Sequence, residues 1–153
     1  MSRVRVSIWL AELGGIGKSP FAPGTVASVL TGIPAAYCLS FIPRAWLAAV
    51  MLCLFVVACY ASEIAERHAG RVDPGAIVID ELFGYLVTVI GFPLGWKPIL
   101  LGLILFRLFD ILKPWPIGLL NKEIPGGIWI VLDDAAAGGC ARLVLWMTLM
   151  IWP

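Results

Sequence analysis

The sequence predicts an all-α fold, a multi-helical integral membrane bundle with up to five hydrophobic helices, some of them short or re-entrant. Hydrophobic residues make up 61% of the 153-residue chain and charged residues only 14%, whereas soluble domains have roughly 45–50% apolar and about 25% charged residues. The mean hydropathy is +0.96, and the apolar residues fall in long uncharged runs. A bilayer is therefore the expected solvent of one membrane-embedded domain, residues 1–153.

Five apolar runs define the predicted helices. Residues 26–42 and 45–62 each have about the 17–25 residues needed to cross ~30 Å of hydrocarbon, so they predict a transmembrane hairpin. Residues 82–92 and 99–109 are shorter, since an eleven-residue helix covers only roughly 17 Å. They predict either a hairpin that dips part-way into the bilayer or two spans that thin it. Residues 135–152 are again long enough to cross.

The charged residues lie mostly on one side of this topology. Residues 3–12 predict a short interfacial helix. Most of the positive charge lies in this N-terminal segment and in the loops 63–81 and 110–134, whereas Arg44 and Lys97 lie in the opposite turns. By the positive-inside rule the richer side is cytoplasmic. The ten acidic residues all fall on that same side: Glu12, Glu63, Glu66, Asp73, Asp80, Glu81, Asp110, Glu123, Asp133 and Asp134.

The sequence argues against nucleic acid and nucleotide as partners. The net charge is only +1, and there is no basic tail. The stretch from Gly17 through Lys18 to Ser19 looks like the end of a nucleotide-binding P-loop, but Glu12 stands where that motif requires its first glycine. The same Gly/Pro-rich loop remains a candidate for binding another phosphate through Lys18, Ser19 and Thr25. The alternative is a flexible lead into a helix.

Three acidic clusters border apolar runs and predict a metal site. They are Asp80 with Glu81, Asp110 alone, and Asp133 with Asp134. An ionised carboxylate near hydrocarbon costs several kcal/mol unless it is paired or bound to a metal. Sites built from oxygen ligands select hard divalent ions, and Mg2+ combines a few carboxylates with waters and phosphate oxygens. The alternative is that these acids are surface charges or helix caps, with Asp133 capping the last helix.

Arg107, Asp110 and Lys113 are spaced three residues apart, which places a carboxylate between two cations near the end of a helix. Pro114 disfavours helix at the residue before it and so ends the helix. Arginine can bind phosphate through two hydrogen bonds, and lysine acts as a compact charge. The segment therefore predicts a phosphate-binding element, with a simple Arg107–Asp110 salt bridge as the alternative.

The chain resembles the phosphatidylglycerophosphatase A family over most of its length. Four motifs in the same order carry the resemblance: Gly15-x-Gly17-x-Ser19-Pro20-x-x-Pro23-Gly24-Thr25-x-x-Ser28, Asp73-x-Gly75-x-Ile77-Val78-x-Asp80-Glu81, Arg107-x-x-Asp110-x-x-Lys113-Pro114-x-Pro116, and Gly126-Gly127-x-x-Ile130-x-x-Asp133-Asp134-x-x-Ala137-Gly138. The resemblance implies an all-helical, Mg2+-dependent, multi-pass phosphatase of the bacterial inner membrane. Its substrate would be phosphatidylglycerol phosphate, and its products phosphatidylglycerol and inorganic phosphate in phospholipid biosynthesis.

This resemblance suggests roles for the candidate site residues. The catalytic and metal-binding set is expected to be Asp80, Glu81, Asp110, Asp133 and Asp134, around one or two Mg2+ ions on the cytoplasmic face. The cations Lys18, Arg107 and Lys113 would offset the charge of the phosphate and of the transition state, with Ser19 and Thr25 as further phosphate ligands. The nucleophile is either water or an aspartate.

Two other functions fit parts of the pattern. A polyprenyl-diphosphate phosphatase also combines membrane helices with acids and cations, but the Ser-Arg-Ser expected after its Pro-Gly-rich loop is absent, since this chain has Val26-Ala27-Ser28. A small ion transporter would need charges near the middle of the membrane, whereas these charges border the apolar runs. The sequence leaves the oligomeric state open.

Overall fold

A computed structural model describes residues 3–93, 95–114 and 124–152, and every regular element within these ranges is helical. A 3₁₀ segment, Leu13–Lys18, follows the first helix, and a π-helical segment, Ser28–Gly32, joins the second helix to the third. The predicted all-α class is thus confirmed. The α-helices are α1 (Arg3–Ala11), α2 (Pro23–Ala27), α3 (Ile33–Ser40), α4 (Arg44–Ala69), α5 (Ile79–Val89), α6 (Trp96–Leu112) and α7 (Gly127–Ile151).

The helix boundaries correct the predicted ones at the acidic end of the molecule. Helix α4 continues past residue 62 to Ala69, so Glu63 and Glu66 lie on its last turns and not in a loop. Helix α7 begins at Gly127 and not at residue 135, so Asp133 and Asp134 lie in its second turn and do not cap it. Apolar runs mark where a chain avoids water, whereas a helix continues through polar residues whose side chains find partners.

The predicted transmembrane hairpin is also altered. Residues 23–40 are helical throughout, but the hydrogen bonding changes register at the π segment, where the hydroxyl of Thr31 donates to the carbonyl of Ala27 at 2.6 Å. Among the described helices, α4 alone is long and apolar enough to cross a membrane, with a mean hydropathy of 2.2 over its best 18 residues. Of the predicted spanning pair at residues 26–42 and 45–62, only the second, which corresponds to α4, meets this criterion of length and hydropathy.

Helices α5 and α7 cross at two glycines and run in the same direction. A Cβ on Gly84 would lie 2.6 Å from the carbonyl oxygen of Asp134, and one on Gly138 would overlap the carbonyl of Gly84. The hydroxyl of Thr88 donates to the carbonyls of Gly84 at 3.0 Å and Gly138 at 3.3 Å. Small residues at a crossing let two backbones approach closely, which is how helices associate in a bilayer.

Helix α6 packs against this pair in the opposite direction. Its Gly102 faces the side chains of Val89 and Leu145, and its buried Phe106 lies against Gly84. The last turn of α6 therefore lies beside the first turn of α5 and the early turns of α7. The C-terminal end of α4 joins them, because Gly127 fits against the α4 backbone near Cys59. Four helices thus meet at one end of the molecule.

The far end of α5 is held by Arg142 of α7. Its Nη1 donates to the carbonyls of Val87 at 3.1 Å and Ile90 at 2.6 Å, at the end of the short helix. Its guanidinium also lies 4.9 Å from the centre of the Phe92 ring. The terminal carbonyls of α5 are thereby satisfied inside the protein, which allows this helix to end after 11 residues.

We expect Gly138→Ala to destabilise the fold, because the new methyl group meets a backbone carbonyl that has no freedom to move aside. Overpacking of this kind costs about 1–3 kcal/mol, and the thermal unfolding midpoint in detergent should fall. Gly139→Ala is the matched control, because a Cβ at Gly139 meets nothing within 4 Å. Equal midpoints for the two variants would contradict this account of the crossing.

Candidate active site

Acidic side chains from three helices are buried at the end where the helices meet. Asp80 is in the first turn of α5, Asp110 is in the last turn of α6, and Asp133 and Asp134 are in the second turn of α7. Their exposed fractions are 3%, 7%, 1% and 1% respectively. Aspartate is almost never this buried unless its charge is compensated, so the cluster needs cations nearby.

Two cations at the end of α6 supply part of this compensation. Nη1 of Arg107 lies 2.8 Å from Oδ2 of Asp110 and also pairs with the Glu81 carboxylate. Nζ of Lys113 pairs with Asp133 and lies 3.8 Å from Oδ1 of Asp110. The charges alternate from α5 through α6 to α7, and this ion-pair network is made of Glu81, Arg107, Asp110, Lys113 and Asp133.

Lys113 reaches the network because α6 ends one residue before it. Its backbone is left-handed, with φ of 41°, although it is not glycine. Such a conformation costs of order 1–3 kcal/mol and persists only when the surroundings fix it. Pro114 prevents the helix from continuing, as predicted. The Arg107–Asp110 salt bridge, the alternative to a phosphate-binding element, is present within a wider set of pairs.

The crossing of α5 and α7 at Gly84 and Gly138 places Asp80 and Asp134 next to the network. Each is four residues before its own crossing glycine, Gly84 or Gly138, and the two helices run in parallel, so both side chains belong to the same level of the bundle. In Asp133, Oδ2 accepts from Lys113, whereas Oδ1 is buried and accepts no hydrogen bond from the described residues. This carboxylate therefore has one oxygen available for a ligand.

The Gly/Pro-rich loop touches the network through a glycine. Gly24 lies directly against the Glu81 carboxylate, so that a Cβ there would overlap it. Nζ of Lys18 pairs with Glu12 at 2.8 Å, and its side chain is 68% exposed. The hydroxyl of Ser19 donates to the carbonyl of Phe21 at 3.0 Å. The start of α2 thus forms a wall of the site at Gly24, while Lys18 and Ser19 make their contacts with residues before α2.

Thr25 lies half-buried in α2, one residue after Gly24. Glu123, counted among the acids of this side, lies outside the described residues. Across the described ranges, no group of three or more His, Cys, Asp or Glu side chains is arranged to hold one metal ion. In this arrangement the carboxylates of the network are paired with Arg107 and Lys113.

Two residues of the site were not singled out from the sequence. Oε2 of Glu63 accepts from the backbone N–H of Gly127 at 2.6 Å, and Oε2 of Glu66 accepts from that of Gly126 at 2.8 Å. They hold the start of the helix that carries Asp133. The local signal is limited to two acids three residues apart in one part of the chain and a glycine pair in another. Neither pattern predicts that the two segments contact each other.

The fold and the cluster define an all-α protein with a buried acidic site bordered by cations. A family model described as phosphatidylglycerophosphatase A matches residues 9–149. The chain belongs to the phosphatidylglycerophosphatase A family, a family of phosphatases.

Three curated relatives extend this comparison. A phosphatidylglycerophosphatase A of Escherichia coli K12 is 33% identical over 140 residues, which cover 91% of this chain and 81% of the relative. The Haemophilus influenzae protein of the same name is 35% identical over 133 residues, covering 86% and 81%. A Bacteroides thetaiotaomicron protein, provisionally named a phosphatidylinositol-3-phosphatase, is 34% identical over 133 residues, covering 81% of each chain. No solved structure matches the chain.

We expect Gly24→Ala to lower phosphate release by about tenfold or more, because a displaced Glu81 disturbs the pairing of Arg107 and misplaced groups lose rate steeply. Gly75→Ala is the matched control, since a Cβ at Gly75 meets nothing within 4 Å. Rates should be measured on purified protein in detergent. An active Gly24→Ala protein would show that the loop does not press on the site.

Proposed function

We propose that the protein is a Mg2+-dependent phosphatidylglycerophosphatase, which hydrolyses phosphatidylglycerol phosphate to phosphatidylglycerol and inorganic phosphate in phospholipid biosynthesis. The observation that carries this proposal is the buried network of alternating charges, built from three helices of a chain in the phosphatidylglycerophosphatase A family. Its cations suit a phosphate ester, and its carboxylates suit a hard metal ion.

The balance of charge supports a divalent cation. The network and its neighbours gather five carboxylates, those of Asp80, Glu81, Asp110, Asp133 and Asp134, around the cations Arg107 and Lys113. A phosphate monoester brings up to two more negative charges. Added positive charge would be needed to hold it there. The donors are all oxygens, which fits Mg2+, and Oδ1 of Asp133 is buried without a hydrogen bond from the described residues.

The residues of the chain then have distinct roles. When bound, Mg2+ supplies positive charge to phosphate oxygens and lowers the pKa of water. Asp80, Asp133 and Asp134 are the proposed ligands or their supports, because they are the most deeply buried acids. Arg107 and Lys113 exchange carboxylate partners for phosphate oxygens, which keeps each cation paired throughout and stabilises charge on the phosphoryl group.

The nucleophile is either water or an aspartate of the cluster. With water, a buried carboxylate accepts the proton as oxygen attacks phosphorus and the P–O bond to the lipid breaks. With an aspartate, its oxygen displaces the lipid alcohol, and water then cleaves the acyl phosphate. Trapping with hydroxylamine separates the two routes, because only the acyl phosphate forms a hydroxamate.

The molecular surface supports a location within the membrane. Large apolar side chains lie along the outward faces of the long helices, and each is about half exposed or more. They include Leu52, Val56, Leu100, Ile104, Leu143 and Met147. A soluble protein normally exposes a smaller contiguous apolar surface. In a bilayer these faces would contact lipid tails, so the bundle would be embedded as several helices and not through α4 alone.

Exposed aromatic residues mark the end opposite the site. The rings of Trp96 and Trp152 are in edge contact at 6.2 Å, and Lys97 lies 4.5 Å above the Trp152 ring. Phe41 and Trp46, at the α3–α4 turn, are exposed at the same end. Such aromatic belts sit at membrane interfaces. The acidic site would then lie at the other interface of the inner membrane, which the positive-inside rule assigns to the cytoplasm. A lipid substrate would reach it there by lateral diffusion.

We expect Asp80→Asn, Asp110→Asn and Asp134→Asn each to lower the rate of phosphate release from phosphatidylglycerol phosphate by about 10²–10⁴-fold, since each removes charge where the phosphate reacts. The control is Arg44→Gln, which removes a charge at the opposite, exposed end. Unfolding midpoints should be measured alongside the rates. Wild-type rates in all three folded Asn variants would falsify this site.

We expect chelation by EDTA to abolish phosphate release and added Mg2+ to restore it, because the proposed ion supplies positive charge to the phosphate oxygens. Calorimetric titration with Mg2+ gives a readout that is independent of turnover. Binding should weaken in Asp134→Asn and persist in Arg44→Gln. Full activity in EDTA would exclude the metal dependence.

The substrate class is tested by comparing lipids in one assay. Phosphatidylglycerol phosphate should be hydrolysed faster than phosphatidylinositol 3-phosphate, the lipid named for the Bacteroides relative, and faster than a polyprenyl diphosphate. A preference for either competitor would change the proposed substrate but not the assignment of the protein as a phosphatase. Ion flux through protein-containing liposomes without phosphate release would favour a transporter instead.

A further inference from the structure

We propose that Glu63 and Glu66 of α4 are positioning residues for the reaction. They hold the first turn of α7 against α4 and so determine the position of Asp133 and Asp134 along the axis of α6. This inference rests on the proposed function for its catalytic part. It concerns two carboxylates that take no part in the ion-pair network itself.

Both side chains accept hydrogen bonds from the start of α7. Glu63 binds the backbone N–H of Gly127 at 2.6 Å, and Glu66 binds that of Gly126 at 2.8 Å. The second oxygen of Glu66 accepts from the backbone N–H of Asp73 at 3.2 Å. Glu66 is only 6% exposed. One buried carboxylate thus joins α4 to both connecting segments that lead into the site.

These contacts replace a cap that α7 does not supply itself. The first N–H groups of a helix have no partner within it, and Gly126, at the capping position, has no side chain to offer. Glu63 and Glu66 take over this role from a neighbouring helix. A negative charge at this place is also favoured by the helix dipole. Hydrogen bonds to ionised acceptors are roughly twice as strong as neutral ones.

The two glycines make the attachment close. Gly126 has φ of 129°, a backbone conformation that other residues rarely adopt. A Cβ on Gly127 would overlap the carbonyl of Cys59 and lie 2.9 Å from Cα of Glu63. The backbone of α7 therefore touches that of α4, and the two carboxylates fix where along α4 this contact occurs.

Because α7 is continuous, the position of its first turn determines the position of Asp133 in the site. Asp133 follows Gly127 by six residues, a distance of about 9 Å along the axis. No break in α7 separates them. If the first turn of α7 shifts or frays, Asp133 shifts relative to Lys113. A misplacement of about 1 Å in reacting groups costs on the order of 100-fold in rate.

The neighbouring surface ion pair does not account for the attachment. Glu63 also pairs with Arg67 at 2.7 Å, but the Arg67 side chain is 78% exposed. Exposed pairs of this kind contribute little to stability. The bond to Gly127, in contrast, joins residues of two helices that are 64 positions apart in the chain. Arg67→Ala therefore separates the two contributions of Glu63.

The test compares Glu63→Gln and Glu63→Ala. Glutamine keeps one acceptor oxygen for Gly127, whereas alanine removes it. We expect Glu63→Ala to lower kcat by about tenfold to a hundredfold with KM within about threefold, and Glu63→Gln and Arg67→Ala to stay within about threefold of wild type. Glu66→Gln should lie between wild type and Glu66→Ala, because one amide oxygen serves only one of its two N–H donors.

Hydrogen exchange gives a structural readout that does not depend on turnover. Amides of residues 127–134 should exchange faster in Glu63→Ala and Glu66→Ala than in wild type, while those of α6 stay protected. The inference is overturned if folded alanine variants keep wild-type kcat, or if Glu63→Gln loses as much as Glu63→Ala. A wild-type protein that releases no phosphate would instead overturn the proposed function, and the exchange result would then decide the attachment of α7 separately.

Discussion

The structure depends on the compensation of negative charge that is buried among apolar helices. Removing a carboxylate from water costs several kcal/mol, and three helices each bring at least one to the same place. Arg107 of α6 and Lys113, just after the end of α6, lie among them and form pairs in both directions. The last turn of α6 lies against the α5–α7 pair. The left-handed backbone of Lys113 is found where its side chain pairs with Asp133.

Glycines set the distances over which these charges act. Gly84 and Gly138 let α5 and α7 touch one turn away from Asp80 and Asp134, and Gly24 lets the first turn of α2 lie against Glu81. Each contact leaves no space for a methyl group. The same residues that make the sequence rich in glycine therefore determine the geometry of the acidic cluster, while large apolar side chains cover the outside of the bundle.

Much of this arrangement could be predicted from local patterns. Apolar runs predicted helices, and the positions of charged residues predicted one acidic end. Pro114 predicted the end of α6, and the spacing of Arg107 and Asp110 offered their salt bridge as an alternative to phosphate binding. The start of α4 and the end of α7 agree with the predicted runs to within one residue. The end of α4 and the start of α7 could not be predicted, because polar turns remain helical only through contacts made far along the chain. The bond from Glu66 to Gly126 spans 60 residues, and no short pattern records it.

The order of the helices along the chain has a consequence for biosynthesis. Glu81, Arg107 and Asp110 belong to the α5–α6 hairpin, whereas the partner of Lys113 is Asp133 of α7. During translation the hairpin emerges first, with its lysine still unmatched by that aspartate. Helix α7 emerges later and completes the network, because the pair between Lys113 and Asp133 can form only after residue 133 has been made. A nascent chain that stops before α7 would hold the hairpin charges without this partner.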